Sequence, residues 1–402
     1  MIFKLSLRNL SRNRRRTAAV LLTLATGTAA MFIFHGFNAG IMNQYRDGTI
    51  RARYGHGQLN EAGYRDQHYE KPWEHWVSDV SALGVELRKD FPGILLFPRV
   101  EFFGLLSTGS VTVSGKGQGV DGAAESQFFT KMNISSGQPL AAQADGILLG
   151  QGIARSLNVK EGDRITLVAN TIFGSMNAID TQVVGVFHTG LKEFDDTFFR
   201  IQLKEAQRLL DTDRVESVVL GLERLDQWAE VAAWAKKNRP DLDATPFAVL
   251  DKVYYQNSVD FLDSQFQVIQ TIILVMVLLG IFTTVSSVIL ERKTEIGNLR
   301  ANGESIPEIL SLLLAEGAWL GIFGTALGIG IALLLANVFL ANGILMPPAP
   351  GITRQFTVKI QLQALMALKA ATLGMGTALL ATLIAAYRVA RQPIADLLRA
   401  AG

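Results

Sequence analysis

The sequence predicts a membrane protein with four transmembrane α-helices and a large extracytoplasmic α+β domain inserted between the first and second. Three observations carry this reading. Of 402 residues, 49% are hydrophobic and only 18% charged, well below the roughly 25% charge of a soluble domain. Four apolar stretches each reach the ~18 residues that a hydrocarbon core requires. Between the first two, residues 45–255 return to an ordinary soluble composition with short strand patterns and glycine turns. The net charge of +2 supplies no global attraction to nucleic acid, and the absence of cysteine excludes disulfides, thiolate metal sites and cysteine nucleophiles.

The first span, 17–34, carries no charge and follows Lys4, Arg8, Arg12, Arg14, Arg15 and Arg16. A signal peptide would have a core of only ~7–15 apolar residues and a small-residue cleavage site, whereas this stretch runs on into "MFIFHGFNAGI", so a retained helix is expected. The other spans are 268–290, 309–340 and 362–387. Positive residues set the direction: the basic N-terminus, the link with Arg292, Lys293 and Arg300, and the tail with Arg388, Arg391 and Arg399 all belong in the cytoplasm. Arg354 and Lys359, in the short outer loop 342–361, are outnumbered by these three clusters.

In the external region "PWEHWVSDVSALGVELRKD" reads as a helix, and "GILLF", "SVTVSG", "DGILLG", "DRITLVA", "TQVVGVF" and "TFFRIQL" read as strands. Leu203, Ala206, Leu209 and Leu210 form the apolar face of one later helix, and Trp228, Val231, Ala232 and Ala235 that of another. The stretch 251–267 has amphipathic helical character and is expected to run unbroken into the second span.

Signs of chemistry are weak. "GQGVDG", 117–122, matches G-x-G-x-x-G, but a dinucleotide site needs a helix opening at the second glycine within a βαβ unit, and a glycine turn is the plainer reading. "TGSVTVSGKG" has the wrong glycine spacing for a phosphate loop. His35, His56, His68, His75 and His188 lack zinc-ligand spacing. Asp195 and Asp196 are neighbours that project apart, and read as solvated loop residues rather than an acid/base couple. No catalytic, cofactor or metal site is expected in the chain.

Inside the membrane, Gly317, Gly321, Gly324 and Gly328 recur at spacings of four, three and four, which puts them on one face where a helix can approach closely, whether of this chain or of a second copy. Glu316 and Lys369 are intramembrane ions that must pair, snorkel or face a cavity. They sit near opposite ends of their spans, so structural satisfaction is expected rather than a proton relay.

The segment 291–305, "ERKTEIGNLRANGES", is too polar for lipid and too regular for a linker. Glu291 and Glu295 stand at i, i+4, Ile296 and Leu299 form an apolar ridge, and Ser305 with Glu308 makes a capping box that starts the third span. A helix this short must dock on something. Two glutamates suit anionic headgroups poorly and a protein groove better.

"ERKTEIGNLRANGESIPEI", "EGAWLGIFGTALGIGIA" and "AAYRVARQPIADLLRA" resemble the C-terminal three-helix unit of the FtsX/MacB-type ABC-transporter permeases, which include the lipoprotein-releasing LolC and LolE permeases. "GILLGQGIARSLNVKEGDRITLV", "TQVVGVFHTG" and "FRIQLKEAQRLL" are similar to that family's periplasmic core domain. The resemblance implies three parts: 1–44 with the first span, an external core domain over 45–255, and a permease unit over 256–402 with a cytoplasmic coupling helix at 291–304. It implies an inner-membrane permease with both termini cytoplasmic, paired with a second permease copy or homologue and bound to a cytosolic ATPase dimer that uses ATP-Mg. Glu291, Arg292, Glu295 and Arg300 would be polar contacts to that ATPase, and Ile296 and Leu299 the ridge buried in its cleft. Lipoprotein-like amphiphilic cargo is the preferred substrate, with drug or peptide efflux, or activation of an external cell-wall hydrolase, as alternatives. A periplasmic carrier or adaptor would be a further partner, and the lipoprotein-releasing members recruit their carrier through an extended hairpin. The corresponding "ANTIFGSMNAID" is short and lacks proline, which argues against that route.

Overall fold

A computed structural model describes residues 2–12, 14–67, 71–140, 145–252, 256–347 and 355–399. His68 and Arg354 lie outside the described residues. Among those described, four helices are long and apolar enough to span a membrane, at Arg14–Tyr54, Asn257–Glu291, Ile306–Phe339 and Ala364–Ala390. The chain divides into two compact units. One comprises Met1–Asn43, Asp260–Met346 and Thr357–Gly402, and the other Gln44–Val259 and Pro347–Phe356.

The chain opens on α1 (Ile2–Arg12), a short helix separate from α2 (Arg14–Thr49). The Thr17 hydroxyl donates to the Leu10 carbonyl at 2.9 Å, tying the two together near their junction.

The second unit is built on β1 (Gly57–Glu61), β2 (Leu95–Ser107), β3 (Thr112–Val120), β4 (Asn133–Gly137), β5 (Ile147–Gly150), β6 (Arg164–Asn170), β7 (Met176–His188), β8 (Phe198–Gln202), β9 (Ser217–Gly221) and β10 (Leu242–Pro246). Six of these close on themselves. β2 pairs with β3, β3 with β8, β8 with β5, β5 with β7, β7 with β6, and β6 returns to β2. A ring of six is narrower than the eight-stranded barrel whose interior side chains just fill. Phe102 and Phe199 meet edge to face inside it at 5.7 Å, so β3 must be bare on that side. A Cβ on Gly117 would stand 2.5 Å from the Phe102 ring, and one on Gly115 3.0 Å from that of Phe199. Of the four strands outside the ring, β4 pairs with β7, and β10-β1-β9 extends from the first half of β2. This extension is packed on one side by α3 (Val80–Asp90) through Leu83 and Leu87 and by a later helix through Val231 and Ala235.

The glycine-rich "GQGVDG" is therefore not a turn. Its first two glycines lie within β3, and its last, Gly122, is the first residue of α4 (Gly122–Phe128). The helix N-terminus that a phosphate would need is taken by the Asp121 carboxylate, which accepts from the Ala123 and Ala124 amides at 3.1 Å each. Asp195 is also corrected. It is buried, and accepts from the Thr189 amide and hydroxyl at 2.7 and 2.8 Å, while Asp196 turns away to Lys192. Loop backbone groups of 189–190 that would otherwise be orphaned explain its burial. The helices α5 (Gln151–Leu157), α6 (Leu203–Leu210) and α7 (Gln227–Asn238) complete the unit; the last two bury the apolar faces expected of them.

The first unit resumes in α8 (Asn257–Glu291), which is one continuous helix from its described start. It is followed by α9 (Lys293–Ala301), α10 (Ile306–Leu334), α11 (Ala364–Ala390) and α12 (Ile394–Arg399). Glu308 closes its half of the capping box on the Ser305 amide at 2.9 Å. The four glycines of the four-three-four repeat in α10 are spent within this chain. A Cβ on Gly317 would meet Thr382, and one on Gly321 Met375, both of α11. One on Gly324 would meet Leu24, and one on Gly328 the Ala25 carbonyl oxygen at 2.6 Å, both of α2. The strands β11 (Ile344–Met346) and β12 (Phe356–Val358) pair, and the chain after them runs along α2. There a Cβ on Gly40 would fall 2.2 Å from the Lys359 carbonyl oxygen.

Candidate coupling site

The short helix α9 is held at both ends and along its inner face. α8 stops at Glu291, and Arg292 leaves helical geometry at φ −97° and ψ 13°. That break turns the Arg292 side chain back into the bundle. Its Nε donates to Glu295 at 2.8 Å and its Nη1 to the Glu316 carboxylate, which also accepts from Asn9 Nδ2 at 2.9 Å. Glu316 is 5% exposed. One buried carboxylate thus joins α1, the α8–α9 break and α10, and the cost of an ion inside the membrane is offset by a cation and a neutral donor. Glu316 and Lys369 are not brought together; Lys369 is exposed on the second turn of α11.

At the other end of α9, Arg300 Nη1 donates to the carbonyls of Ala390 and Gln392 at 2.9 and 2.6 Å. These are orphan carbonyls at the end of α11, so the arginine acts as its C-terminal cap. Between the two arginines, Ile296 is 2% exposed and packs in the same cluster as Leu397 of α12 and Val389 of α11, with Leu299 partly buried beside it. A Cβ on Gly297 would come 2.9 Å from that of Leu397, so glycine sets the depth of the contact. Arg12 and Arg16 approach from the N-terminal side, at 3.5 Å to Glu295 and 2.8 Å to Glu291.

This geometry revises the expected roles. The ridge of Ile296 and Leu299, read as entering a partner's cleft, faces this chain's interior, because α12 supplies the apolar surface that a marginal helix needs. Arg292 and Arg300 are internal clamps. Glu291 and Glu295 do not share a helix face, since the chain breaks between them. The surface left outward is Asn298, Ala301, Asn302, Gly303 and Glu304, with Glu291 half exposed. Asn9 and Leu397 escaped the sequence reading. Leu7 and Leu10 beside Arg8 and Arg12 hold the signal for a sided α1, whereas nothing local marks Leu397 as a partner of Gly297.

Elsewhere, His35 Nδ1 lies 2.8 Å from the Met31 carbonyl of its own helix, and His56 Nδ1 accepts from the Leu222 amide at 3.0 Å. Burial, aided by Arg51, pushes His56 down to about 4. No metal-holding cluster occurs among the described residues.

Residues 17–238, more than half of the chain, match the MacB-like periplasmic core domain family, and residues 268–394 match the FtsX-like permease C-terminal family. The chain belongs to the FtsX/MacB-like permease family. This permease is similar to the lipoprotein-releasing system transmembrane protein LolC of Neisseria meningitidis serogroup B, 26% identical over 226 residues covering 52% of each chain. It is equally similar to the protein of that name from Xylella fastidiosa, 26% over 211 residues, 50% of this chain and 49% of that one. The permease thus spans about half the length of the curated relatives it matches. Among solved structures, the periplasmic region of MacB from Actinobacillus actinomycetemcomitans aligns at a TM-score of 0.36 and 10% identity, over 50% of this chain and 94% of that one. The extracellular domain of the noncanonic ABC-type transporter YknZ from Gram-positive bacteria gives 0.33 and 11%, over 47% and 98%.

Proposed function

We propose that this permease is the membrane subunit of an ABC transporter in the cell membrane, with α9 and both termini in the cytoplasm, the β-rich unit outside, and a separate ATPase dimer docked on α9. A second permease copy or homologue completes the assembly. The observation that carries this reading is the clamping of α9: Arg292 ties it to α10, Arg300 to α11, and Ile296 and Gly297 to α12, while its outer face stays free. Displacement of such a helix by closure of nucleotide-loaded ATPases passes to the spans without a solute channel. ATP and its Mg²⁺ belong to the partner. The cargo is amphiphilic and lipoprotein-like, on the similarity to LolC. The β6–β7 connection is a tight turn, with the Thr171 amide bonded to the Ser175 carbonyl at 2.7 Å, which speaks against recruitment of a carrier through this hairpin.

The test is co-purification of the tagged full chain with the ABC ATPase of its own source. Ala301→Trp and Asn298→Arg, both on the outer face, should each reduce ATPase recovery by about tenfold, while membrane abundance and melting midpoint stay at parental values. ATPase recovered undiminished with both variants would remove α9 as the docking element. Mass spectrometry of the intact complex then separates the cargo readings: an acylated protein supports release, whereas a peptide or an external hydrolase overturns it in favour of efflux or signalling.

A further inference from the structure

An apolar groove of about 350 Å³ lies between α1, α2 and α10, walled by Leu7, Leu10, Leu21, Leu320 and Phe323, with Arg14 in its lining. Leu7 and Phe323 are 43% and 45% exposed, so the groove opens outward rather than into the bundle core. Exposed apolar walls on a membrane helix are covered by lipid or protein. The charges at its end decide between these. Arg12 and Arg16 are engaged by Glu295 and Glu291. Arg14 lies about 200° around α2 from Arg16, on the groove side. Arg14 and Arg15 are exposed, and neither makes an ion pair or side-chain hydrogen bond among the described residues. No acidic side chain lines the groove. A chain-sized apolar slot with the uncompensated Arg14 guanidinium in its lining matches one chemistry, the acyl chain of a lipid whose headgroup carries a phosphate.

We propose that this groove holds one acyl chain of an anionic phospholipid, with the lipid phosphate against the Arg14 guanidinium. The site goes beyond the transport reading and does not depend on it, since it requires only that the bundle sits in a bilayer. Occupancy packs the outer side of α1, whose Asn9 and Arg12 reach Glu316 and Glu295, so the lipid steadies the N-terminal support of α9.

The experiment is native mass spectrometry of the full chain, delipidated in detergent and titrated with palmitoyl-oleoyl phosphatidylglycerol or with the phosphatidylcholine of the same chains. The first phosphatidylglycerol should bind about fivefold tighter, the effect of one basic residue on an anionic headgroup. Arg14→Gln should abolish the headgroup preference, and Arg14→Lys should keep most of it. Ala18→Phe, which fills the slot, should lower phosphatidylglycerol binding with Arg14 intact. Melting midpoints measured without lipid verify that each variant is folded. Equal binding of the two lipids by the parent, or parental behaviour of either Arg14→Gln or Ala18→Phe, overturns the proposal.

Discussion

A carboxylate within an apolar span persists only where donors meet it, and Glu316 is met by Arg292 and Asn9. Removing Arg292 leaves Glu316 buried with only the neutral Asn9 donor, and removing Glu316 leaves Arg292 with only Glu295, at a cost of up to about 3 kcal/mol each. Arg292→Ala and Glu316→Ala should therefore each lower the melting midpoint in detergent, and the double variant should lose clearly less than the sum. Strict additivity would mean that the pair is not an energetic unit. A second carboxylate behaves oppositely in the external unit. Glu216, partly buried, is pushed up to about 7 by burial and by the neighbouring Glu101. Burial also opposes ionisation of Glu101, but Lys116 and Arg53 outweigh it and hold it down to about 2. The two share one site and titrate as a pair. A carboxylate raised on folding contributes stability below its ordinary value, and that contribution fades as pH climbs through about 7. Four of the five tryptophans, Trp73, Trp76, Trp228 and Trp234, lie in this unit, so fluorescence-detected unfolding reports on it. Because the lowered His56 of the same unit contributes the opposite slope below about pH 6.5, the parent's midpoint measured relative to that of Glu216→Gln should fall between about pH 5 and about pH 8. An equal slope in both proteins counts against this assignment.

At the scale of the element, glycines in α10 differ by what faces them. A Cβ on Gly328 meets a backbone oxygen at 2.6 Å, which cannot move without shifting α2, whereas Gly330 faces open space. Gly328→Ala should cost about 1–3 kcal/mol through overpacking. Gly330→Ala should be neutral or slightly stabilising, by the helix propensity gained. Gly321→Ala, opposed only by the flexible Met375 at 3.2 Å, should fall between them. Chemical unfolding in detergent ranks the three; equal effects would show that the close approach of α2 and α10 does not limit packing. The same logic explains why the spacing of these glycines was legible in the sequence but their partners were not. A four-three-four repeat marks a close helix face, yet the identity of the approaching helix depends on how the spans are arranged.

For the whole molecule, direction across the membrane is the quantity on which the function rests. The chain contains no cysteine, so single cysteines introduce unambiguous labels. Glu304→Cys, in the exposed turn after α9, should react with an impermeant maleimide only after cells are opened, and Ser110→Cys, at the β2–β3 tip, should react in intact cells. The reverse pattern would invert the topology and remove the ATPase from α9.

Length and period alone carry the local part of this fold. Four apolar runs long enough to cross a bilayer, a soluble α+β insert and a capped polar link between two spans can all be read locally, because hydrophobic burial and capping act over a few turns of chain. Packing in three dimensions is needed to see that the ridge of α9 is covered by Leu397, that Arg292 and Arg300 are internal clamps, and that the "GQGVDG" glycines clear space for Phe102 and beside α6. Each of these depends on a partner far away in sequence, and a residue's pattern states that it will be buried or paired without stating by what.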